Sequence, residues 1–355
     1  MVLFKFRTWR LFVAMKARWN KYLLHFKQPA GTSRGIMLQK PSYFLYAETE
    51  NFGPQMAECP LLPGLSADDK PDYEQQLSHL CDRLNNFETP LELLYEYLEW
   101  PSIRFGLEQL AKLKQSQPYP IWFDSPFSRT ESGIPINGLV WMGDLEFQKS
   151  QIDDLLKRNF GCIKIKIGAD FWSNGIDILR YIRNLSNTVE IRTDANGAFL
   201  PEEAEKVLKA LGDFNVHSIE QPIKPGQWSE MAQLVKGSPV AIALDEELIY
   251  CPSNLKLELL KSVQPQYIVL KPSLLGGFMA CSNWIDLANV FQIKYWVTSA
   301  LESNFGLMAI AQFAASLNST MPQGLGTGSL YTNNLPSHLH LKGDTLWLQN
   351  DLNLQ

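Results

Sequence analysis

The feature that most restricts what this chain can fold into is a series of short β-like runs, each followed by an amphipathic stretch, beginning at Leu139. The runs are LVWMG from Leu139, CIKIKIG from Cys162, EIRTDAN from Glu190, SIEQP from Ser218, VAIALDE from Val240, YIVLKP from Tyr267, YWVTSA from Tyr295 and a weaker, glycine-rich LGTGSL from Leu325. Strands that alternate with helices pair in parallel, because each helical crossover returns the chain to the same end of the sheet. Eight such units at near-regular spacing predict an α/β fold with a closed (β/α) barrel of the TIM type rather than an open doubly wound sheet. No GxGxxG or Walker phosphate loop follows the early strands, which argues against a nucleotide-binding open sheet.

Polar residues in these runs carry the functional argument. In CIKIKIG, alternation puts Lys164 and Lys166 on one face and Ile163, Ile165 and Ile167 on the other, and each lysine is expected to depress the other's pKa. Alone, the run reads as an amphipathic edge strand with two solvated lysines. The spacing changes that reading: Asp194 follows Lys166 by 28 residues, Glu220 comes 26 later, Asp245 25 later and Lys271 26 later. One charged residue thus recurs per unit, near the C-terminal end of its strand, and in a barrel those ends converge on the face that holds active sites.

Asp194, Glu220 and Asp245 would share one mouth, and an oxygen-only donor set suits a hard cation such as Mg²⁺. Each has a plainer use, since Asp194 could start a helix, Glu220 could pair with Lys224, and Asp245-Glu246 could cap a helix. Those uses fit single positions but not the series. Lysines on both sides of the carboxylates suit removal of a proton beside a substrate carboxylate through an enolate or enediolate. A Schiff base is the other use of a buried lysine and needs no carboxylate set.

The N-terminal part has a different texture. Residues 16–62 read as antiparallel strands (ARWNKYLLHF, IMLQKPSYFLYAET, MAECPLL) around a small-residue loop over 27–35. That loop contains Thr32, Ser33 and Arg34, whose hydroxyls and guanidinium suit a flap over an anionic ligand. Helices are expected over YEQQLSHLCDRL, over LELLYEYLEW after Thr89-Pro90, and over SIRFGLEQLAKLK after Pro101. The expected organisation is an α+β capping domain over 1–135, the barrel over 136–330, and a C-terminal segment, 331–355, returning to the cap. The first fourteen residues are basic and too short to span a bilayer, and one expectation is that Met15 is the natural start.

Composition narrows the partners. A net charge of -5 without long runs of one sign gives no footprint for nucleic acid, and no stretch is long enough for a membrane span. Five scattered cysteines without a CxxC pair fit a reducing, cytoplasmic setting. The expected partner is a small carboxylate, with monomer and homo-oligomer both open.

The series KIKIG, RTDANGAF, IEQP, ALDEEL and VLKP, followed by TSALESNFGL, resembles the enolase superfamily in its muconate-lactonising-enzyme-like branch. More narrowly, FKQPAGTSRG, AECPLLPGLS, PSIRFGLE, GIPINGLVWMGD and SALES resemble the o-succinylbenzoate synthase family. The resemblance implies a modified, enolase-like barrel with an N-terminal cap and a Mg²⁺ held by Asp194, Glu220 and Asp245, with Mn²⁺ as a substitute. It implies Lys166 as the base, Lys164 as its electrostatic partner and Lys271 as the cation that stabilises an enediolate. It further implies Thr32, Ser33, Arg34, Asn196, Ser299, Leu301 and Ser303 as substrate-binding residues. The implied reaction is a syn elimination of water in menaquinone biosynthesis. Racemisation of an N-succinylamino acid is the alternative on the same lysines, and a non-catalytic ligand-binding member of the fold is the remote one. Gln221 in IEQP stands where many relatives carry glutamate, and GLGTGSL lacks the DxD pattern of dipeptide epimerases.

Overall fold

A computed structural model of the chain describes residues 15–32, 35–49, 53–86, 88–113, 118–168 and 172–353. Ser33, Arg34 and the first fourteen residues therefore lie outside the described residues.

The cap begins with a long antiparallel hairpin, β1 (Met15–Thr32) and β2 (Gly35–Thr49), to which β3 (Gln55–Cys59) is added along β2. The pairing of β1 with β2 is irregular between His25 and Ala30 and then resumes from Ala30↔Met37 to Thr32↔Gly35. Residues 27–32 of the loop expected over 27–35 thus belong to β1, and Gly35 begins β2. Three helices cover one face: α1 (Tyr73–Asn85), the single turn α2 (Pro90–Leu93) and α3 (Pro101–Lys112). The ten-residue helix expected from Leu91 stops after one turn. Leu93, Leu94 and Tyr97 are buried while Leu91, Tyr95 and Leu98 are exposed, and Pro101, as the first residue of α3, keeps Trp100 out of the helical region. Leu77, Leu80 and Leu84 of α1 and Ile103, Leu107 and Leu110 of α3 meet Tyr43, Leu45 and Ala57 in one apolar core.

A turn-rich connection leads through β4 (Ile134–Pro135) into the barrel. Its strands and crossovers run β5 (Gly138–Val140), α4 (Leu145–Lys157), β6 (Cys162–Lys166), α5 (Trp172–Leu185), β7 (Glu190–Asp194), α6 (Pro201–Asp213), β8 (Ser218–Glu220) and α7 (Trp228–Gly237). They continue with β9 (Ala241–Leu244), the one-turn α8 (Glu246–Ile249), α9 (Lys256–Val263), β10 (Tyr267–Leu270), the one-turn α10 (Pro272–Leu275), α11 (Phe278–Val290), β11 (Lys294–Val297) and α12 (Asn304–Ser316). Strands β5 to β11 form one parallel sheet in sequence order. The eighth strand expected from Leu325 is not formed among the described residues. Instead Gln323 and Gly324 make single parallel bridges to Ile136 and Thr298, beside the two edges of the sheet.

Residues 331–334 run beside β1, with Tyr331 bridging Phe26 and Asn333 hydrogen bonded to His25 and Leu23. The hairpin β12 (Ser337–Lys342) and β13 (Thr345–Asn353) then pairs with β4, and Leu339, Leu346 and Leu348 join the barrel's apolar core. All five cysteines are free, and among the described residues no helix is long and apolar enough to cross a membrane.

Gly106 lets α3 lie directly against β3, because a Cβ there would stand 2.4 Å from Cys59 Sγ. Gly106→Ala is expected to lower stability by about 1–3 kcal/mol through overpacking, measured as a lower denaturation midpoint with unchanged slope.

Candidate active site

The barrel strands deliver the charged residues to one mouth by simple alternation. On β6, Ile163 and Ile165 pack outward into the core beneath the helices, which leaves Lys164 and Lys166 pointing inward. The in-register neighbours Lys166, Asp194 and Glu220 come from three consecutive strands, and Asp245 and Lys271 follow immediately after β9 and β10. Arg192 lies one inward position before Asp194. It is fully buried, its guanidinium 4.4 Å from the centre of the Trp296 ring and its Nε 2.8 Å from Glu190 Oε1. With Ala243 and Val269 it fills the barrel interior, so the mouth has a closed floor.

A cavity of about 110 Å³ opens above this floor. Lys164, Lys166, Asp194, Asn196, Glu246 and Lys271 supply its polar lining, and Leu62 and Leu65 of the cap with Ser299, Ala300 and Leu301 form an opposing wall. Glu220 and Asp245 do not reach the cavity surface. They are buried behind Lys164 and Lys271, each with one carboxylate oxygen lacking a hydrogen-bond partner.

Pairing within the cluster is specific. Lys164 Nζ bridges Glu220 Oε2 and Asp194 Oδ2, the latter at 2.9 Å, and Lys271 Nζ pairs with Asp245 Oδ2. The plainer uses of the carboxylates are not realised: Glu220 pairs with Lys164 rather than Lys224, and Asp245 precedes α8 without capping it by its side chain. Lys166 makes no ion pair among the described residues and donates instead to Asn196 Oδ1 at 2.9 Å. Asn196 Nδ2 donates in turn to Glu246 Oε1 at 2.9 Å, so Asn196 orients the lysine as well as lining the cavity. Glu246 was not singled out as a site residue by sequence reasoning; the second acid of ALDEEL, directly after a strand end, was the available signal.

Electrostatics separate the three lysines. Burial works against the charge on Lys164, but Asp194, Glu220 and Asp245 together carry its pKa above the ordinary lysine range. Lys271 is likewise raised, with Asp245 and Glu246 outweighing burial. Lys166 moves the other way: burial lowers it, Asp194 opposes, and the neighbouring Lys164 and Lys271 cations lower it further. The expected mutual depression therefore holds for Lys166 alone. Asp194 is held well below the usual carboxylate range, because Lys164, Lys166 and Lys271 outweigh its burial. Glu220 is pushed up to about 7 by burial, as is Glu246.

Among the described residues no three His, Cys, Asp or Glu side chains are gathered closely enough to enclose an ion in this arrangement. The donor set nevertheless suits a hard divalent cation: Glu220 Oε1, Asp245 Oδ1 and Glu246 Oε2 are buried oxygens without hydrogen-bond partners.

The remaining expected site residues divide. Ser299 and Leu301 line the cavity, Ser299 Oγ lying 2.5 Å from Thr327 Oγ1 and Leu301 adopting a left-handed φ of 64°. Ser303 does not line it. That serine is fully buried as the N-cap of α12, with its amide and hydroxyl both donating to Glu58. Thr32 ends β1, and Ser33 and Arg34 are outside the described residues.

The enolase C-terminal domain-like family matches residues 149–345. The o-succinylbenzoate synthase of Desulfotalea psychrophila is 44% identical, over 94% of this chain and 98% of the relative. The crystal structure of MenC from the same organism superposes with a TM-score of 0.82 at 40% identity, covering 94% of this chain and all of that one. The muconate lactonizing enzyme of Pseudomonas fluorescens shares the fold, with a TM-score of 0.79 at 18% identity over 97% of both chains. From its fold, its site and these likenesses, the chain belongs to the enolase superfamily, in the enolase C-terminal domain-like family.

Proposed function

We propose that this chain is an o-succinylbenzoate synthase, dehydrating 2-succinyl-6-hydroxy-2,4-cyclohexadiene-1-carboxylate to o-succinylbenzoate on the route to menaquinone. The observation that carries the reading is the 44% identity to an o-succinylbenzoate synthase across 98% of that relative's length. The polarity of the three lysines agrees with it, because a dehydration through an enediolate needs one neutral amine and at least one fixed cation.

Lys166 is the amine whose surroundings favour the neutral form, and Asn196 fixes its direction. It takes the proton from the ring carbon that bears the carboxylate. Lys271, held as a cation and presented from β10, which three strands separate from β6 in the sheet, stabilises the negative charge that develops on the carboxylate oxygens. Lys164 supports that charge from the near side. The electron pair released by the C–H bond expels the neighbouring hydroxyl, and protonated Lys166 returns its proton to the leaving oxygen, so water departs from the same face. Aromatisation of the ring supplies much of the driving force.

Asp194, Glu220 and Asp245 would hold a Mg²⁺ ion, with Mn²⁺ as a substitute, and Glu246 stands beside them. When bound, the ion supplies Lewis-acid stabilisation of the substrate carboxylate.

Lys166→Ala should leave the fold intact and reduce dehydration by about 10²–10⁴-fold, read as kcat in a spectrophotometric assay of aromatisation. Unchanged turnover would refute the base assignment. The rising limb of the kcat/KM profile should have its midpoint below the ordinary lysine value of 10.5, since every shift acting on Lys166 except that from Asp194 and Glu246 favours the neutral amine at lower pH. Assayed beside dehydration, racemisation of an N-succinylamino acid should be the minor activity; strong racemisation with negligible dehydration would overturn the choice of reaction.

A further inference from the structure

Glu58 is a fully buried carboxylate on β3 of the cap, yet most of its partners belong to the barrel. Its Oε1 accepts from Ser42 Oγ and from the Ser303 amide at 2.9 Å, and its Oε2 accepts from Ser303 Oγ at 2.5 Å and from the Gly306 amide at 2.8 Å. The Ser303 and Gly306 amides stand at the start of α12, where backbone donors have no intrahelical acceptor. A side chain of one domain therefore caps a helix of the other, across 245 positions of sequence.

The segment that leads into this helix is the cavity wall. Ser299, Ala300 and Leu301 face the cavity, and Leu301 is held in a left-handed conformation that a branched side chain rarely adopts. Two contacts hold that conformation besides the cap: Tyr331 Oη donates to the Leu301 carbonyl at 2.7 Å, and Glu302 Oε2 accepts from the Ala300 amide at 2.8 Å. Lys40 is fully buried nearby without a hydrogen bond; burial lowers its pKa, and the charges of Glu58 and Glu302 act the other way.

We propose that Glu58 is a positioning residue through which the capping domain sets the shape of the pocket wall at Ser299–Leu301, so that cap docking governs substrate binding rather than proton transfer at Lys166. The proposal rests on the reaction assigned above for its kinetic readout, and hydrogen exchange provides a readout that does not. Gln at position 58 would keep one acceptor oxygen and turn an NH₂ group toward donors.

Glu58→Gln should raise KM about tenfold while kcat stays within about threefold, the pattern of lost uniform binding. Without substrate, amides over 299–306 should exchange about tenfold or more faster than in the parent protein, with β6 and β7 unchanged. Leu77→Ala, in the cap core, should lower the melting temperature at least as much and leave KM and the exchange of 299–306 unaltered. Tyr331→Phe, which removes only the hydroxyl on the Leu301 carbonyl, should shift KM and exchange in the same direction and carries the test if Glu58→Gln does not fold. Faster exchange in a protein that fails to dehydrate the substrate would support the positioning role and refute the reaction. Parental KM and exchange in both Glu58→Gln and Tyr331→Phe, or an equal KM rise in Leu77→Ala, would overturn the proposal.

Discussion

Everything in the mouth of this barrel depends on keeping carboxylates and ammonium groups together out of water. Removing such ions from solvent costs several kcal/mol each, and only close opposite charges and hydrogen bonds offset it. Lys164 between Asp194 and Glu220, and Lys271 on Asp245, meet that requirement only in part, for Glu220, Asp245 and Glu246 each retain an unpartnered buried oxygen. Those unpartnered oxygens are the observation behind the divalent cation proposed for this site. The carboxylates keep Lys164 and Lys271 charged, whereas burial, and then those two neighbouring cations, leave Lys166 as the lysine disposed toward neutrality.

The floor and the roof of the site are built by different means. Below, Arg192 stacked on Trp296 occupies the barrel interior and seals it. Above, Leu62 and Leu65 of the cap pack with Ile249, Leu274 and Ala300 of the barrel. That apolar seam is reinforced by two cap glutamates at barrel helix starts. Glu58 serves α12, and Glu108 of α3 accepts from the Phe278 amide of α11 at 2.8 Å. A carboxylate at a helix N-terminus gains from both the free amides and the helix dipole, so the cap is fixed by directional contacts as well as by apolar area.

Much of the barrel was legible because its grammar is local. A strand has a period of two, its helix follows within a few residues, and a charged residue at each strand end is visible as a repeat; Lys166, Asp194, Glu220, Asp245 and Lys271 needed nothing more. What was not legible depended on distant partners. Ser303 sits in a motif that looks like pocket lining, but a cap strand some 245 positions away claims both of its donors. The helix expected after Pro90 has adequate periodicity, yet burial of Leu93, Leu94 and Tyr97 and the constraint from Pro101 select turns. The eighth strand was expected one step too late because closure of the barrel takes only Gln323 and Gly324, too few residues to leave a pattern.

The divalent cation proposed for Asp194, Glu220 and Asp245 is open to direct measurement. Calorimetric titration of the protein with Mg²⁺, in the absence of substrate, tests it most directly. The account predicts saturable binding of one ion per chain that is weakened at least about tenfold in Glu220→Gln, equivalent to about 1.4 kcal/mol. Absence of saturable binding, or equal affinity in Glu220→Gln, would contradict it.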